Sequence, residues 1–289
     1  MSSRTLSRSS SGTSRPPPGG VPALTDSEFE LFRKLMYETA GINLSPAKRA
    51  LVAGRLSKRL RELGHHSFRE YFQWISDATP NSAGRVERQL AIDLLTTNET
   101  YFFRENNHFD FLRQEILPQW QNRRVRMWSA ACSSGEEAYT LAMIMTLDGR
   151  CDWEILGTDI STRVVEKARM GVYPMERAEK IPQRYLKACC LKGVGAKAGQ
   201  FMIDRTIRQK VRFQTGNLMN DQSSLGRFDL VLLRNVLIYF DPEVKRRVVR
   251  NVLSRLVPGG WLFVGHAESL NGVVDNIRLV RPSIYRKED

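Results

Sequence analysis

The stretch Val125–Glu137 sets the tightest limit on what this chain can fold into. Val125 to Ala131 is short and mostly apolar, like a buried strand, and Ser133-Ser134-Gly135 is small and turn-forming. Glu136 and Glu137 then open a run in which Ala138, Leu141, Ala142, Ile144 and Met145 recur at helical spacing. Small residues at such a turn let a ligand approach the backbone closely, and carboxylates suit the dipole of a helix N-terminus. Open α/β sheets bind ligands outside the carboxyl ends of their strands. A strand-turn-helix therefore marks the first place to expect a site.

The next strand narrows the ligand. Trp153–Asp159 reads as a second strand ending in an acid, about 24 residues after Gly135, where a carboxylate can take ribose hydroxyls. The dinucleotide fingerprint GxGxxG is absent, and so is the phosphate loop GxxxxGK[ST]. Loss of the extra glycines suits a ligand without pyrophosphate and leans toward S-adenosylmethionine. Ser161 is placed to cap a helix carrying Val164, Val165 and Ala168. Phe228–Leu233 is a further buried strand, Asp241-Pro242-Glu243 starts a helix to about Leu256, and Pro258-Gly259-Gly260 turns into a strand over Trp261–Gly265. Residues 277–280 and 284–286 suit an antiparallel pair. Alternating strands and helices predict a doubly wound, mostly parallel sheet. Residues 172–216 break that rhythm: Gln200–Asp204 and Lys210–Gln214 read as short antiparallel strands of a small inserted β-subdomain.

Ahead of this domain the chain changes character. Residues 1–24, rich in Ser, Arg, Gly and Pro, cannot bury a core and are expected to be disordered. Thr25-Asp26-Ser27-Glu28 and Ser67-Phe68-Arg69-Glu70 are capping boxes, and Ser45-Pro46 places Pro at a first helical position. With a fourth helix over 83–95, residues 25–95 form a small all-α domain and 96–289 the α/β domain. Lys48, Arg55 and Arg59 fall on one stripe of the second helix, which looks like a docking face for an anionic partner. Forty-four Lys and Arg against 31 Asp and Glu, a net charge of +13, point the same way without choosing the partner. Cys132, Cys151, Cys189 and Cys190 lack CxxC spacing, so no metal site is expected and reduced thiols are. No apolar run approaches the roughly 18 residues of a membrane span, and no secretory signal is visible.

Several ordered motifs together are specific: Thr97-Asn98-Glu99-Thr100-Tyr101-Phe102-Phe103-Arg104-Glu105, Trp128 through Glu137, Thr158-Asp159-Ile160, Asn217-Leu218, Arg234 through Phe240, and Gly265-His266-Ala267-Glu268-Ser269. In these the chain resembles the CheR-type chemotaxis methyltransferases from about residue 25 to 287. The resemblance implies a Rossmann-like methyltransferase domain using S-adenosyl-L-methionine, with S-adenosyl-L-homocysteine as product. It implies methyl esters formed on glutamates of a chemoreceptor's acidic cytoplasmic helical bundle, and so a cytoplasmic enzyme with neither nucleic-acid binding nor membrane insertion. Carried over residue by residue, Asn98, Thr100 and Arg104 would line the cofactor cleft from the interdomain segment. Glu136 would meet the methionine amino group, Asp159 the ribose, and Asn217 and Leu218 the adenine. Arg234 and Asn235 would close the cleft, with Arg104 and Tyr239 beside the transferring methyl. The insertion would be the family's β-subdomain, which in some members docks a receptor C-terminal peptide; Gly193-Val194-Gly195 resembles their loop. Cys132 and Ser134 depart from the small residues usual in the cofactor turn but remain small.

Two other functions compete. A nucleic-acid methyltransferase would suit the charge, but amino-methylating enzymes usually carry Asn/Asp-Pro-Pro-aromatic where Arg234-Asn235-Val236 stands here. A catalytically silent receptor adaptor would not need Arg104, Asp159 and Tyr239 together. His266 reads as a packed histidine near a strand end, and Cys132 as filler of the turn.

Overall fold

The computed structural model describes residues 23–77, 79, 80 and 82–288. Its first unit is four helices: α1 (Asp26–Ala40), α2 (Arg49–Leu63), α3 (Phe68–Ser76) and α4 (Ala83–Leu95). Thr25 and Glu28 make the full reciprocal capping box on α1. On α3 only half of the expected box forms: Ser67 accepts from the Glu70 amide, while the Glu70 carboxylate turns to the His66 amide at 2.8 Å. Pro46 opens a single 3-10 turn, Pro46–Lys48, that runs into α2. Phe32, Met36, Val52, Leu56, Leu60, Phe68, Tyr71 and Ile75 close the core of this unit. Leu24 belongs to that core rather than to the tail, and its carbonyl accepts from Arg49. Residues 1–22 of the tail lie outside the described residues.

The rest of the chain runs through α5 (Asn107–Phe111), β1 (Arg124–Ala130), α6 (Glu136–Leu147), β2 (Asp152–Asp159), α7 (Thr162–Met170), β3 (Val172–Pro174), α8 (Gln183–Cys189), β4 (Cys190–Lys192), β5 (Gln200–Ile203), α9 (Arg205–Arg208), β6 (Val211–Thr215), β7 (Phe228–Leu233), α10 (Pro242–Leu253), β8 (Leu256–Val264), β9 (Ile277–Arg281) and β10 (Ile284–Lys287). The main sheet has the order β6-β2-β1-β7-β8-β10-β9. Its first five strands are parallel, and β10 and β9 close it as the expected antiparallel pair. The chain turns outward from β1 in both directions, so the switch point lies between β1 and β7. Neighbouring residues on each strand go to opposite faces. Met127, Leu230 and Leu232 pack with the α6 residues, and Trp128, Val231 and Leu233 with Val244, Val248 and Val252 of α10. A helix layer on each face is the reason these strands read as continuous apolar runs.

In the α/β domain's strands and helix starts the structure corrects three readings of the sequence. Residues 211–215 do not belong to the insertion: β6 pairs parallel with β2 and forms the edge of the main sheet. The small sheet is β3-β5-β4. Pro258-Gly259-Gly260 is not a turn ahead of a strand but part of β8, which begins at Leu256 and absorbs the irregularity as a register shift against β7. Ser161 sits at the N-cap of α7 yet makes no side-chain cap there. That task falls to Asp93 of α4, buried at 2% exposure, which accepts from the Thr162 and Arg163 amides at 3.0 and 3.1 Å and from the Thr162 hydroxyl. The all-α unit thus supplies the anion for a helix start in the α/β unit.

Candidate active site

A cavity of about 350 Å³ opens at the carboxyl ends of β1, β2, β6 and β7. Its floor is the sheet: Ala131–Ser133 after β1, Asp159 and Ile160 after β2, Gly216–Leu218 after β6, and Arg234–Asn235 after β7. Its roof comes from the all-α unit, through Asn43, Ser45, Lys48 and Leu51, and from the connecting segment 95–101 with Arg104. Tyr239 lies where the two meet, its main-chain carbonyl accepting from the Asn43 amide at 3.0 Å.

The turn after β1 is shaped by backbone conformation. Ala131 and Ser133 both adopt positive φ, 68° and 50°, and Gly135 follows at 95°. A side chain at Gly135 would be strained there and its Cβ would lie 2.9 Å from that of Ala168. Asn235 also lies at positive φ (57°), and Phe103 (57°) and Glu105 (55°) flank Arg104. Five of the seven described non-glycine residues with positive φ therefore sit in or beside this cavity, the distribution expected where strain is held for a purpose.

Asp159 stands on the floor at 7% exposure. Its two oxygens each accept a backbone amide, from Ser133 and Ser161, both at 2.9 Å. Burial pushes its pKa up, against these hydrogen bonds. A carboxylate offers about four acceptor positions, so it keeps capacity for two hydroxyls on the cavity side. That fits the ribose assignment. Asn217 and Leu218 line the neighbouring wall. The Asn217 side chain is bound to the chain itself, donating to the Thr39 carbonyl and accepting from the Met219 amide, so its local shape is set before any ligand enters.

Of the two carboxylates that open α6, the structure brings the other one to the cavity. Glu136 is 1% exposed, accepts from the Ser134 hydroxyl at 2.7 Å and lies 3.6 Å from Arg177; it is not on the wall. Burial pushes its pKa up. Glu137 is on the wall, accepting from Ser129 Oγ at 2.7 Å and from Arg234 Nη1 at 2.8 Å. Adjacent helical residues point about 100° apart, and here it is Glu137 that lines the cavity.

Arg234 is the electrostatic centre of the floor. Its side chain is 1% exposed and lies between Glu137 and Glu105, 3.1 Å from the latter, while also donating to the Arg104 carbonyl. Burial works against ionisation of Glu105, yet hydrogen bonds from Asn235 and Arg234 hold its carboxyl below the usual range. Glu105, His108 and His266 have ligand atoms within 4.8 Å of one another, a spacing the sequence did not reveal. The Arg234 guanidinium on Glu105 opposes a cation there, and burial followed by the Arg234 charge lowers His108 to a pKa of about 3.

Arg104 donates to the Glu99 carbonyl at 2.8 Å and lies 5.7 Å from the centre of the Tyr101 ring, which folds the connecting segment back over the cavity. Asn98 bonds Thr96 through its amide and accepts from Ser133 Oγ at its carbonyl, and the Thr100 carbonyl accepts from Arg177. Tyr239 is raised in pKa by burial, against a hydrogen bond with Thr97 and the nearby Arg104 charge.

Two of the three residues assigned to a docking stripe are engaged inside the protein. Arg55 donates to the Leu94 and Thr96 carbonyls, and Arg59 is paired with Glu87 and Glu62. Both side chains hold α2 against α4. Lys48 alone of the three lines the cavity mouth. Asp93, Glu137 and Glu268 are the functional neighbours that sequence reasoning missed or left without a role.

Known proteins resemble this chain along nearly all of its described length. Residues 27–96 match the family model described as CheR methyltransferase, all-alpha domain, and residues 98–285 match CheR methyltransferase, SAM binding domain. The chain is 36% identical over 277 residues to a chemotaxis protein methyltransferase of Borreliella burgdorferi, covering 91% of this chain and 95% of that one. It is 39% identical to chemotaxis protein methyltransferase 2 of Pseudomonas aeruginosa, covering 90% and 93%. It is 36% identical to the chemotaxis protein methyltransferase of Salmonella typhimurium, covering 91% of each.

Proposed function

The chain belongs to the CheR methyltransferase family, and from that premise we propose that it esterifies glutamate side chains on the cytoplasmic helical bundle of a chemoreceptor. It is a methyltransferase with S-adenosyl-L-methionine as methyl donor and S-adenosyl-L-homocysteine as product. When bound, the donor supplies a methyl group activated by a sulfonium.

The observation that carries the reading is the convergence of Arg104 and Tyr239 on one cavity that Asp159 also lines. A glutamate carboxylate is already ionised at neutral pH. Its oxygen forms the new bond to the methyl carbon as the carbon–sulfur bond breaks, and no proton has to move. The residues therefore have to bind, orient and exclude water. Asp159 takes the ribose hydroxyls, Asn217 and Leu218 form the adenine wall, and Asn98, Thr100, Glu137 and Asn235 fill out the cleft. Arg104 meets the incoming carboxylate through its planar fork, and Tyr239 closes the methyl pocket. Lys48, at the mouth, favours an acidic bundle. In the small sheet both β3 and β4 are outer strands, and Leu191 (49% exposed) and Val194 (79%) flank the β4 edge, which suits addition of a receptor's C-terminal peptide. Among the described residues no helix is long and apolar enough to cross a membrane. A cytoplasmic bundle as substrate makes the cytoplasm the working place.

The test uses methyl-labelled donor and a chemoreceptor cytoplasmic fragment. Label released as methanol by mild alkali is the expected result. Alkali-stable label would mean methylation at nitrogen or carbon and would overturn the assignment. Salt-steep binding to RNA or DNA would favour a nucleic-acid substrate instead.

A further inference from the structure

No residue of the last motif, Gly265 to Ser269, lines the cavity, yet it holds a carboxylate whose acceptor positions are all engaged. Glu268 is 6% exposed. Its Oε2 accepts from the Gly265 amide at 2.6 Å and the Asn235 amide at 2.9 Å, and its Oε1 from the Leu237 amide at 2.7 Å and the Ile238 amide at 3.3 Å. Four donors fill about all the acceptor positions a carboxylate has. Three of them belong to the loop that leaves β7, and this loop carries Asn235 and Tyr239 to the cavity. The loop has only a short 3-10 turn, Leu237–Tyr239, with Asn235 at positive φ, so its first amides have no ladder to join. Buried amides without partners are costly. The anchor also requires a glycine at its own base. A Cβ at Gly265 would lie 2.5 Å from Asn235 Nδ2, 2.8 Å from Glu268 Oε2 and 2.9 Å from the Asn235 amide.

We propose that Glu268 is a positioning residue for methyl transfer: its carboxylate clamps the loop after β7 so that Asn235 and Tyr239 meet the cavity at a fixed height and angle. The inference rests on the role proposed for Tyr239 in closing the methyl pocket. The clamp acts from the end of β8 and reaches the donor only through Asn235, one of several residues along the cleft, and so governs the geometry of transfer more than donor affinity. Glutamine cannot replace it, because an amide group would bring its own donors against two of the four N–H groups.

The experiment compares Glu268→Gln and Gly265→Ala, the second of which keeps the carboxylate and crowds it. Both are expected to lower kcat on the order of 100-fold, as a misplacement of about 1 Å does. KM for the donor and the calorimetric affinity for S-adenosyl-L-homocysteine should stay within about threefold of the parent. Amide hydrogen exchange should quicken in residues 234–240 and stay unchanged in β7 and β8. A folded Glu268→Gln with parental kcat overturns the proposal. So does a loss that appears equally in donor affinity with exchange quickened across both strands, which would make Glu268 a stabiliser only. Should Glu268→Gln not fold, parental kcat in Gly265→Ala overturns it. Tyr239→Ala, measured alongside, separates the two readings. Parental turnover there removes Tyr239 from the chemistry, and the exchange pattern of residues 234–240 still decides for or against the clamp.

Discussion

The floor and roof of the cavity are built by different means. The floor is four strand ends fixed by parallel pairing, and its charged groups are buried and mutually bonded, as Arg234 is between Glu105 and Glu137. The roof is the edge of a separate helical unit and a connecting segment, attached by individual hydrogen bonds: the helical unit through Asp93 to the start of α7, Gln89 to the Ile160 carbonyl, the Asn43 amide to the Tyr239 carbonyl, Asn217 to the Thr39 carbonyl and Tyr37 to Asp241, and the segment through Ser133, Arg177 and Arg234. A rigid floor suits recognition of one invariant small molecule. A roof held at points suits a macromolecular substrate that must bring one side chain to the mouth. Floor substitutions should therefore appear in donor affinity, and roof substitutions in turnover.

The largest effect should come from the roof. Arg104→Ala is expected to reduce transfer by about 100-fold or more, since the carboxylate loses its orienting fork, while calorimetric affinity for S-adenosyl-L-homocysteine changes little. Near-parental turnover would remove Arg104 from the mechanism. On the floor, Asp159→Ala should weaken cofactor binding by about 1–3 kcal/mol, the cost of leaving buried hydroxyls unpaired. Unchanged affinity would contradict the ribose assignment and blur the division between the two surfaces.

The joint between them gives an intermediate effect. Asp93→Ala removes the acceptor for two helix-start amides and a hydroxyl, and caps of this kind are worth about 0.5–2 kcal/mol. The thermal midpoint should fall accordingly. Because α7 comes directly after Asp159 and Ile160, the donor KM should rise with it. A fall in midpoint with unchanged KM would show that the joint stabilises the fold without shaping the floor.

The floor was also the more legible part of the sequence, for a physical reason. Strand-turn-helix units are local: the apolar run, the small turn and the helical period lie within about 20 residues and leave few alternatives. Asp159 and the loop after β7 could be placed from that rhythm. What failed depended on partners distant in sequence. Arg55 and Arg59 looked like free cations because Leu94, Thr96 and Glu87 lie 28 to 41 residues on. Asp93 looked like an ordinary helix residue because its role exists only once α7 arrives. The choice between Glu136 and Glu137 turned on Arg234, which is 97 residues from Glu137 and selects the carboxylate it can reach. Residues 211–215 had strand character, but nothing local said whether their neighbour was β5 or β2.

The smallest effect tests how loosely the roof is attached. Tyr37 donates to Asp241 at 2.7 Å across the two units, and both side chains are open to solvent. Exposed contacts of this kind contribute little, so Tyr37→Phe should leave the thermal midpoint within error of the parent. The same bond has a pH signature. The hydrogen bond from Tyr37 holds the Asp241 carboxyl below its ordinary value. The contact's contribution is therefore complete above the ordinary aspartate range and is lost as the pH falls through the depressed value. The variant should lack that small acid-side component in a titration of stability against pH, while its turnover at neutral pH stays parental. A marked loss of turnover in Tyr37→Phe at unchanged midpoint would mean that the height of the roof is set by this single bond, and that the helical unit moves as a lid over the floor.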